Sequence, residues 1–157
     1  AMMRGDPEII LIGETRDAET ARAAAQAAES GHLVFSTIHA GTIRETVGRL
    51  RGFGINDSEL RPMLRGILAQ RLIRTLCNFC RGAKCPHCLM TGYDNMTVIS
   101  EMGFFPSERD FERMLKGDVF WDPMVKDALH KLEQGITDEQ EVYRVFRSEI
   151  DSNSLRV

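Results

Sequence analysis

The sequence predicts an α/β chain that gives way to a cysteine-bound segment and then to helices. Three observations carry this expectation: two short apolar runs, each followed by a helix signal, between residues 6 and 54; four cysteines between Cys77 and Cys88; and three helical stretches after residue 106. Strand, helix, strand, helix implies a parallel sheet with crossover connections. The expected divisions are 1–76, 77–93 and 94–157.

Pro7-Glu8 leads into Ile9-Ile10-Leu11-Ile12, an unalternated apolar run of the kind found in strands buried on both faces of a parallel sheet. Asp17 suits a helix N-cap, and Ala18 to Ser30 is alanine-rich with Glu19 in its first turn and Gly31 just past its end, so a helix is expected there. Leu33 to Ile38 reads as a second strand, ended by His39-Ala40-Gly41. Thr42-Ile43-Arg44-Glu45 spells a capping box for a helix through about Leu50, closed by Gly52 and Gly54.

From Asp57 a further helix is expected, capped by Asp57 or Ser58 with Leu60, Leu64, Ile67 and Leu68 as its apolar stripe. Gln70 to Leu76 fits either the end of that helix or another strand, and the strand is preferred. Val98-Ile99 is a weak strand candidate. Helices are expected over about Ser107 to Lys116, Pro123 to Gln134 and Asp138 to Arg147, the last opened by the box Thr137-Asp138-Glu139-Gln140, before a polar tail at Asp151 to Val157.

Composition narrows the function. With 157 residues, 43% of them apolar and 27% charged, the chain can bury a core. The longest uncharged apolar run, Ile9 to Ile12, is far short of the roughly 18 residues of a membrane span. Ala1 to Pro7 has no apolar core of a signal peptide, so a cytoplasmic chain is expected. A net charge of −3 gives no basic field for nucleic acid. None of Lys84, Lys116, Lys126 and Lys131 follows a glycine, so the phosphate-cradling G-x-x-x-x-G-K-[ST] loop is not in these residues.

Cys77-x-x-Cys80 and Cys85-x-x-Cys88 form two knuckles that bring four thiolates within reach of one ion, the donor set of a tetrahedral structural zinc site. Disulfides are the competing reading, and a reducing compartment weighs against them. Four protein ligands leave no open position for water, so such a zinc acts by folding the segment. His87 is expected to stand by without ligating.

Glu14 and His39 each follow a predicted strand directly, which places an acid and an imidazole on the ligand-binding edge of an open α/β sheet if the strands are neighbours. P-loop NTPases place at the Glu14 position an acid that assists magnesium or the attacking water. An ordinary surface carboxylate is the competing reading. Arg16 is expected to be solvated or locally paired, and His32 to be structural. Arg71 and Arg74 are within reach of a phosphate or of carboxylate partners.

The run Asp6 to Ala21, reading DPEIILIGETRDAETA, closely resembles the Walker B region of the secretion ATPases that drive type II secretion and type IV pilus assembly. Ser30 to His39 looks like their histidine box. Ala69 to Cys80, continued by Cys85, Cys88, Gly92 and Tyr93, is similar to the stretch around their tetracysteine site, and Gly135-Ile136-Thr137 with Glu141-Val142 matches their C-terminal helix. The resemblance implies part of a RecA-like P-loop NTPase core over 1–76, followed by the zinc-binding segment and a C-terminal helical subdomain. It implies that Glu14 is the catalytic carboxylate, that His39 lies near the γ-phosphate, that Arg16 and His32 lie in the vicinity of the nucleotide, and that Cys77, Cys80, Cys85 and Cys88 hold zinc. It also implies ATP and Mg2+ as substrate and cofactor, a homo-hexamer at the cytoplasmic face of the inner membrane, an inner-membrane platform or adaptor as partner, and no nucleic acid. The tetracysteine favours the secretion and pilus-assembly branch over the retraction motors.

Departures from the family pattern accompany the resemblance. The spacer between the knuckles is short for the family, Asn95-Met96 stands where the family tends to have Gly-Arg, and Phe104 to Trp121 is idiosyncratic. The family's P-loop and acidic box lie upstream of these motifs, so the chain is expected to be a C-terminal fragment that does not hydrolyse ATP alone. The rival reading is a zinc-stabilised protein-docking module with no nucleotide chemistry of its own.

Overall fold

Ile9–Ile12 forms strand β1 and pairs in parallel with β2, Leu33–Ser36, in the register Ile9↔Leu33 through Ile12↔Ser36. These elements come from a computed structural model that describes residues 7–147. Asp6, which opens the Walker B-like run, and the polar tail from Asp151 lie outside the described residues. Helix α1, Ala18–Glu29, connects the two strands; Asp17 caps it by accepting the Thr20 N–H at 2.8 Å, as its short acidic side chain predicts. Ala21, Ala25 and Ala27 are buried, so this helix packs closely through alanine, and Gly31 leaves it with φ +94°.

Helix α2, Ile43–Gly52, is capped by Thr42, whose hydroxyl accepts the Glu45 N–H. The reciprocal bond of the expected box is shifted by one residue: Glu45 Oε2 accepts from the Gly41 N–H at 2.6 Å. Helix α3, Asp57–Met63, is shorter than the sequence suggests. Its cap is Asn56, in a full box with Glu59, and neither Asp57 nor Ser58. The chain leaves the helix at Leu64 in extended conformation, one residue past Pro62 and Met63, and Ile67 and Leu68 belong to the next strand.

That strand, β3, runs Gly66–Leu76, which settles Gln70 to Leu76 as a strand. Its partner β4 spans Tyr93–Phe104, twelve residues where Val98-Ile99 alone gave a signal. Phe105 N–H bonds to Arg65 C=O and Cys77 N–H to Gly92 C=O, so the start of β3 meets the end of β4 and the pair is antiparallel. The sequence hid β4 because its residues mix Asn, Thr, Ser and Glu with Met and Val, and long-range pairing overrides that weak propensity. Helices α4, α5 and α6 occupy Glu108–Leu115, Met124–Glu133 and Glu139–Phe146, close to their expected places. The cap of α6 is Asp138; Thr137 instead donates its hydroxyl to the Arg74 carbonyl.

The described residues form two compact units, and β3 and β4 each begin in one and end in the other. The first comprises 7–68 and Met102–Trp121. Its core gathers Ile10, Ile43, Val47, Ile55, Leu60, Phe105 and Phe111, with the Phe105 ring edge-on to Phe111, Phe120 and Trp121. Gly103 is required there, because an added Cβ would stand 2.9 Å from the Phe105 ring and 3.0 Å from Ile43. The second unit comprises Ala69–Glu101 and 122–147, with Ile73, Cys77, Ile99, Ala128, Val142 and Phe146 buried.

The expectation of a strand buried on both faces is corrected for β1. Ile10 is buried, while Ile9 and Leu11 are 61% and 72% exposed. Side chains alternate along a strand, and the parallel register puts Ile9, Leu11, Leu33 and Phe35 on one face of a sheet that, among the described residues, has only these two strands. One layer of helix covers one face only.

Candidate functional site

Beyond the last paired residues of β1 and β2 the two segments stay together through one backbone bond and two side-chain contacts. Thr15 N–H bonds to the Thr37 carbonyl at 2.8 Å, Thr37 Oγ1 donates to the Gly13 carbonyl at 2.6 Å, and Thr15 Oγ1 and Ser36 Oγ are 2.8 Å apart. Thr15 is buried. This clamp holds Gly13-Glu14-Thr15 against Ser36-Thr37 and fixes where Glu14 points.

Glu14 and His39 meet at that rim: His39 Nε2 is 3.0 Å from Glu14 Oε1. Arg16 approaches from the other side, with a guanidinium nitrogen 2.5 Å from Oε2. The Arg16 hydrogen bond holds the Glu14 carboxyl below the usual glutamate range; partial burial opposes it, and the charges of Arg16 and His39 add to the lowering. Glu14 Oε1 is shielded from solvent and accepts no hydrogen bond among the described residues, while His39 Nε2 stands 3.0 Å from it as an ion-pair partner. The ring of His39 is 83% exposed, so the site opens to solvent on that side. An acid with one oxygen held by an arginine and the other beside an imidazole is able to orient a water and accept its proton.

His32 is not brought together with these residues. It precedes β2, at the strand end opposite His39, and its Nδ1 lies 2.9 Å from Ser30 Oγ and 3.0 Å from the Ala27 carbonyl at the C-terminus of α1. Arg71 and Arg74 are both engaged in the second unit, Arg71 with the Val145 carbonyl and Arg74 with Glu141. Sequence reasoning missed the threonine clamp, whose only signal is a hydroxyl residue just past each strand, and missed the burial of Glu141, for which a charged residue in a polar helix gives no signal.

The four cysteines form one cluster. All four sulfurs lie within 4.8 Å of one another, with Cys77 and Cys85 4.0 Å apart and Cys80–Cys88 and Cys85–Cys88 both 3.8 Å apart. Zinc–sulfur bonds of about 2.3 Å place the corners of a tetrahedron about 3.8 Å apart, so the donor set fits zinc. The sulfurs are free thiols, and Cys88 Sγ accepts the N–H groups of Cys85 and Gly92 at 3.3 Å each. Those backbone donors, the Cys85 bond first, pull the Cys88 thiol down to about 6 against burial, whereas burial pushes Cys80 up to about 11. His87 packs its ring against Phe79 and stays close: its nitrogen, Cys77 Sγ and an Asp94 oxygen also fall within 4.8 Å of one another.

The cluster's backbone is strained. Arg81, Lys84, Leu89 and Met90, all of the non-glycine residues with positive φ among those described, lie between Cys80 and Gly92. Each costs on the order of 1–2 kcal/mol, which local apolar packing alone does not supply here because Phe79, Leu89 and Met90 are exposed.

The chain thus carries an acid and an imidazole on the rim of a parallel strand pair and, further along, a cluster of four thiols. Residues 1–144 match the family described as "Type II/IV secretion system protein", and the chain belongs to that family. It is 36% identical over 181 residues to the Type II secretion system ATPase E of Vibrio cholerae, covering 94% of this chain and 36% of that one. The chain thus spans little more than a third of that relative's length. Among solved structures the fold is similar to the ATPase DotB of Legionella pneumophila, with a TM-score of 0.68 and 23% identity over 93% of this chain and 40% of that one. It is also similar to the pilus retraction motor PilT with bound ADP, with a TM-score of 0.56 and 24% identity over 97% of this chain and 39% of that one.

Proposed function

We propose that this chain is the C-terminal part of a RecA-like P-loop ATPase that powers type II secretion or type IV pilus assembly, and that Glu14 is its catalytic carboxylate. The observation that carries this reading is Glu14 and His39 at 3.0 Å on the carboxyl-end rim of the parallel strands, where ligands of open α/β sheets bind. In-line hydrolysis of ATP needs a carboxylate to orient the water and take its proton as the oxygen attacks the γ-phosphorus. Oε1 of Glu14, which accepts no hydrogen bond among the described residues, fits that task. His39, beside Glu14, senses or holds the γ-phosphate in this reading, and loss of that phosphate would release it. Arg16, paired with Glu14, completes the proposed vicinity of the nucleotide, whereas His32 at the other end of β2 is left out of it.

The P-loop is contributed from outside these residues, so this piece alone does not turn over ATP. The whole protein works as a homo-hexamer with ATP and Mg2+, at the cytoplasmic face of the inner membrane, and passes its motions to an inner-membrane platform or adaptor. Cys77, Cys80, Cys85 and Cys88 hold a structural zinc, which supplies order to a segment too small for its own core. In the full-length protein Glu14→Gln is expected to lower turnover by orders of magnitude while nucleotide affinity stays within a few-fold; unchanged turnover would refute the reading.

A further inference from the structure

We propose that Cys77, His87 and Asp94 form a second metal site, which takes a divalent transition ion, zinc foremost, and shares the Cys77 sulfur with the tetracysteine site. This rests on the reading of the four cysteines as a zinc site and goes beyond it by giving the segment a second, more weakly held ion. The three donor atoms lie within 4.8 Å of one another, and His87 Nε2 is 3.9 Å from Asp94 Oδ2. That separation is beyond hydrogen-bond reach, so the imidazole and the carboxylate do not close on each other. It is also shorter than two zinc bonds of about 2.1 Å laid end to end, roughly 4.2 Å. One ion between them reaches both.

The surroundings hold these donors in place. All three residues lie in the second unit. Cys77 is buried whereas His87 and Asp94 are exposed, so the set runs from the shared sulfur out to solvent and leaves coordination positions for water. Asp94 Oδ2 accepts the Asn78 N–H at 3.0 Å, and the Phe79 ring packs on His87 with centroids 4.0 Å apart. The two residues that follow Cys77 thus orient both of its partners, as outer contacts of metal ligands do. A zinc-bound thiolate keeps electron pairs for a second ion, and four thiolates around one divalent ion leave net negative charge, to which Asp94 adds. Sulfur, imidazole and carboxylate donors together suit zinc and its neighbours in the first transition row, not magnesium or calcium, which take oxygen ligands. Three protein ligands in place of four, at the surface, make this ion the exchangeable one.

The test uses the full-length protein without nucleotide, dialysed to equilibrium against buffered free zinc, with metal per chain read by elemental analysis. The wild type should rise from about one to about two zinc per chain as free zinc increases, while His87→Ala and Asp94→Asn keep the first ion and bind the second at least about tenfold more weakly. Retention of the first ion shows that the knuckles of each variant are folded. Cobalt(II) added to the zinc-loaded protein should give a thiolate-to-cobalt charge-transfer band in the wild type that both variants lose, which reports the shared sulfur. A wild type that saturates at one zinc, a second ion held equally well by both variants, or a cobalt band absent from the wild type or unchanged in the variants would each overturn the inference. So would loss of the first ion in His87→Ala, which would put His87 in the tetracysteine site. Protein that binds no zinc and keeps freely titratable thiols sinks the tetracysteine reading as well, whereas saturation at one ion removes the second site alone.

Discussion

Arg74 gives Glu141 three hydrogen bonds across 67 residues of sequence: its backbone N–H and its Nε at 2.8 Å each, and a terminal nitrogen at 2.6 Å. Arg144 adds two more at 2.7 Å from within α6. Glu141 is fully buried, and so complete a set of donors is what makes a charge tolerable there. The Arg74 guanidinium also lies over the Tyr93 ring at 4.1 Å, while the Tyr93 hydroxyl donates to Asp138, the cap of α6. Strands β3 and β4 are thereby tied to α6 beside the cysteine cluster.

This network predicts an acid sensitivity. Burial raises the Glu141 pKa, but the bonds from Arg144 and Arg74 outweigh it and leave the carboxyl at about 2, against an ordinary 4.5. A depressed carboxyl stabilises the fold above its unfolded value and loses that contribution as pH falls, here between about 4.5 and about 2. Its size is on the order of 3 kcal/mol. Denaturant unfolding of the wild type and of Glu141→Gln should differ by that order at pH 7 and converge near pH 2. A difference independent of pH would remove the ionised carboxylate from the account.

Metal removal tests the knuckles. Protein purified without added zinc should contain about one zinc per chain, and chelation should unfold the segment between Cys77 and Gly92 because binding worth about 10–16 kcal/mol is what holds its strained turns. Amide hydrogen exchange at Arg81 to Gly92 is the readout, with fast exchange expected after chelation. Metal-free protein whose segment stays protected would show that packing alone suffices.

The threonine clamp predicts a coupling between a side chain that touches no substrate and the chemistry beside it. Thr15→Val removes the bond to Ser36 Oγ and should cost about 1 kcal/mol of stability. In the full-length protein it should also lower kcat about tenfold by letting Glu14 drift from His39. Wild-type turnover in a folded Thr15→Val protein would separate the clamp from catalysis.

Much of the architecture was legible in the sequence. The Asp17 cap, the alanine helix, β1, β2 and the three later helices stand close to where local signals put them. Misreadings fell where two signals overlapped. Leu60, Leu64, Ile67 and Leu68 satisfy a helical period, yet the helix ends after Met63 and Ile67 and Leu68 enter β3. Thr137 and Asp138 both suit a cap, and pairing with Arg74 decided that Thr137 turns away. For the site, residue types and strand ends named Glu14, Arg16, His39 and the four cysteines, and the place of His32 just before the second strand marked it as structural.

The sequence by itself determined the two knuckles and the acid and imidazole past successive strands, because ligand chemistry and strand ends are written in residue type and spacing over a few positions. Only the tertiary structure decided that Glu14 meets His39 across the two strand ends and that Glu141 is buried among arginines. Those facts depend on register and on contacts between residues far apart in the chain, where the free energy of pairing outweighs any preference a short stretch of sequence expresses.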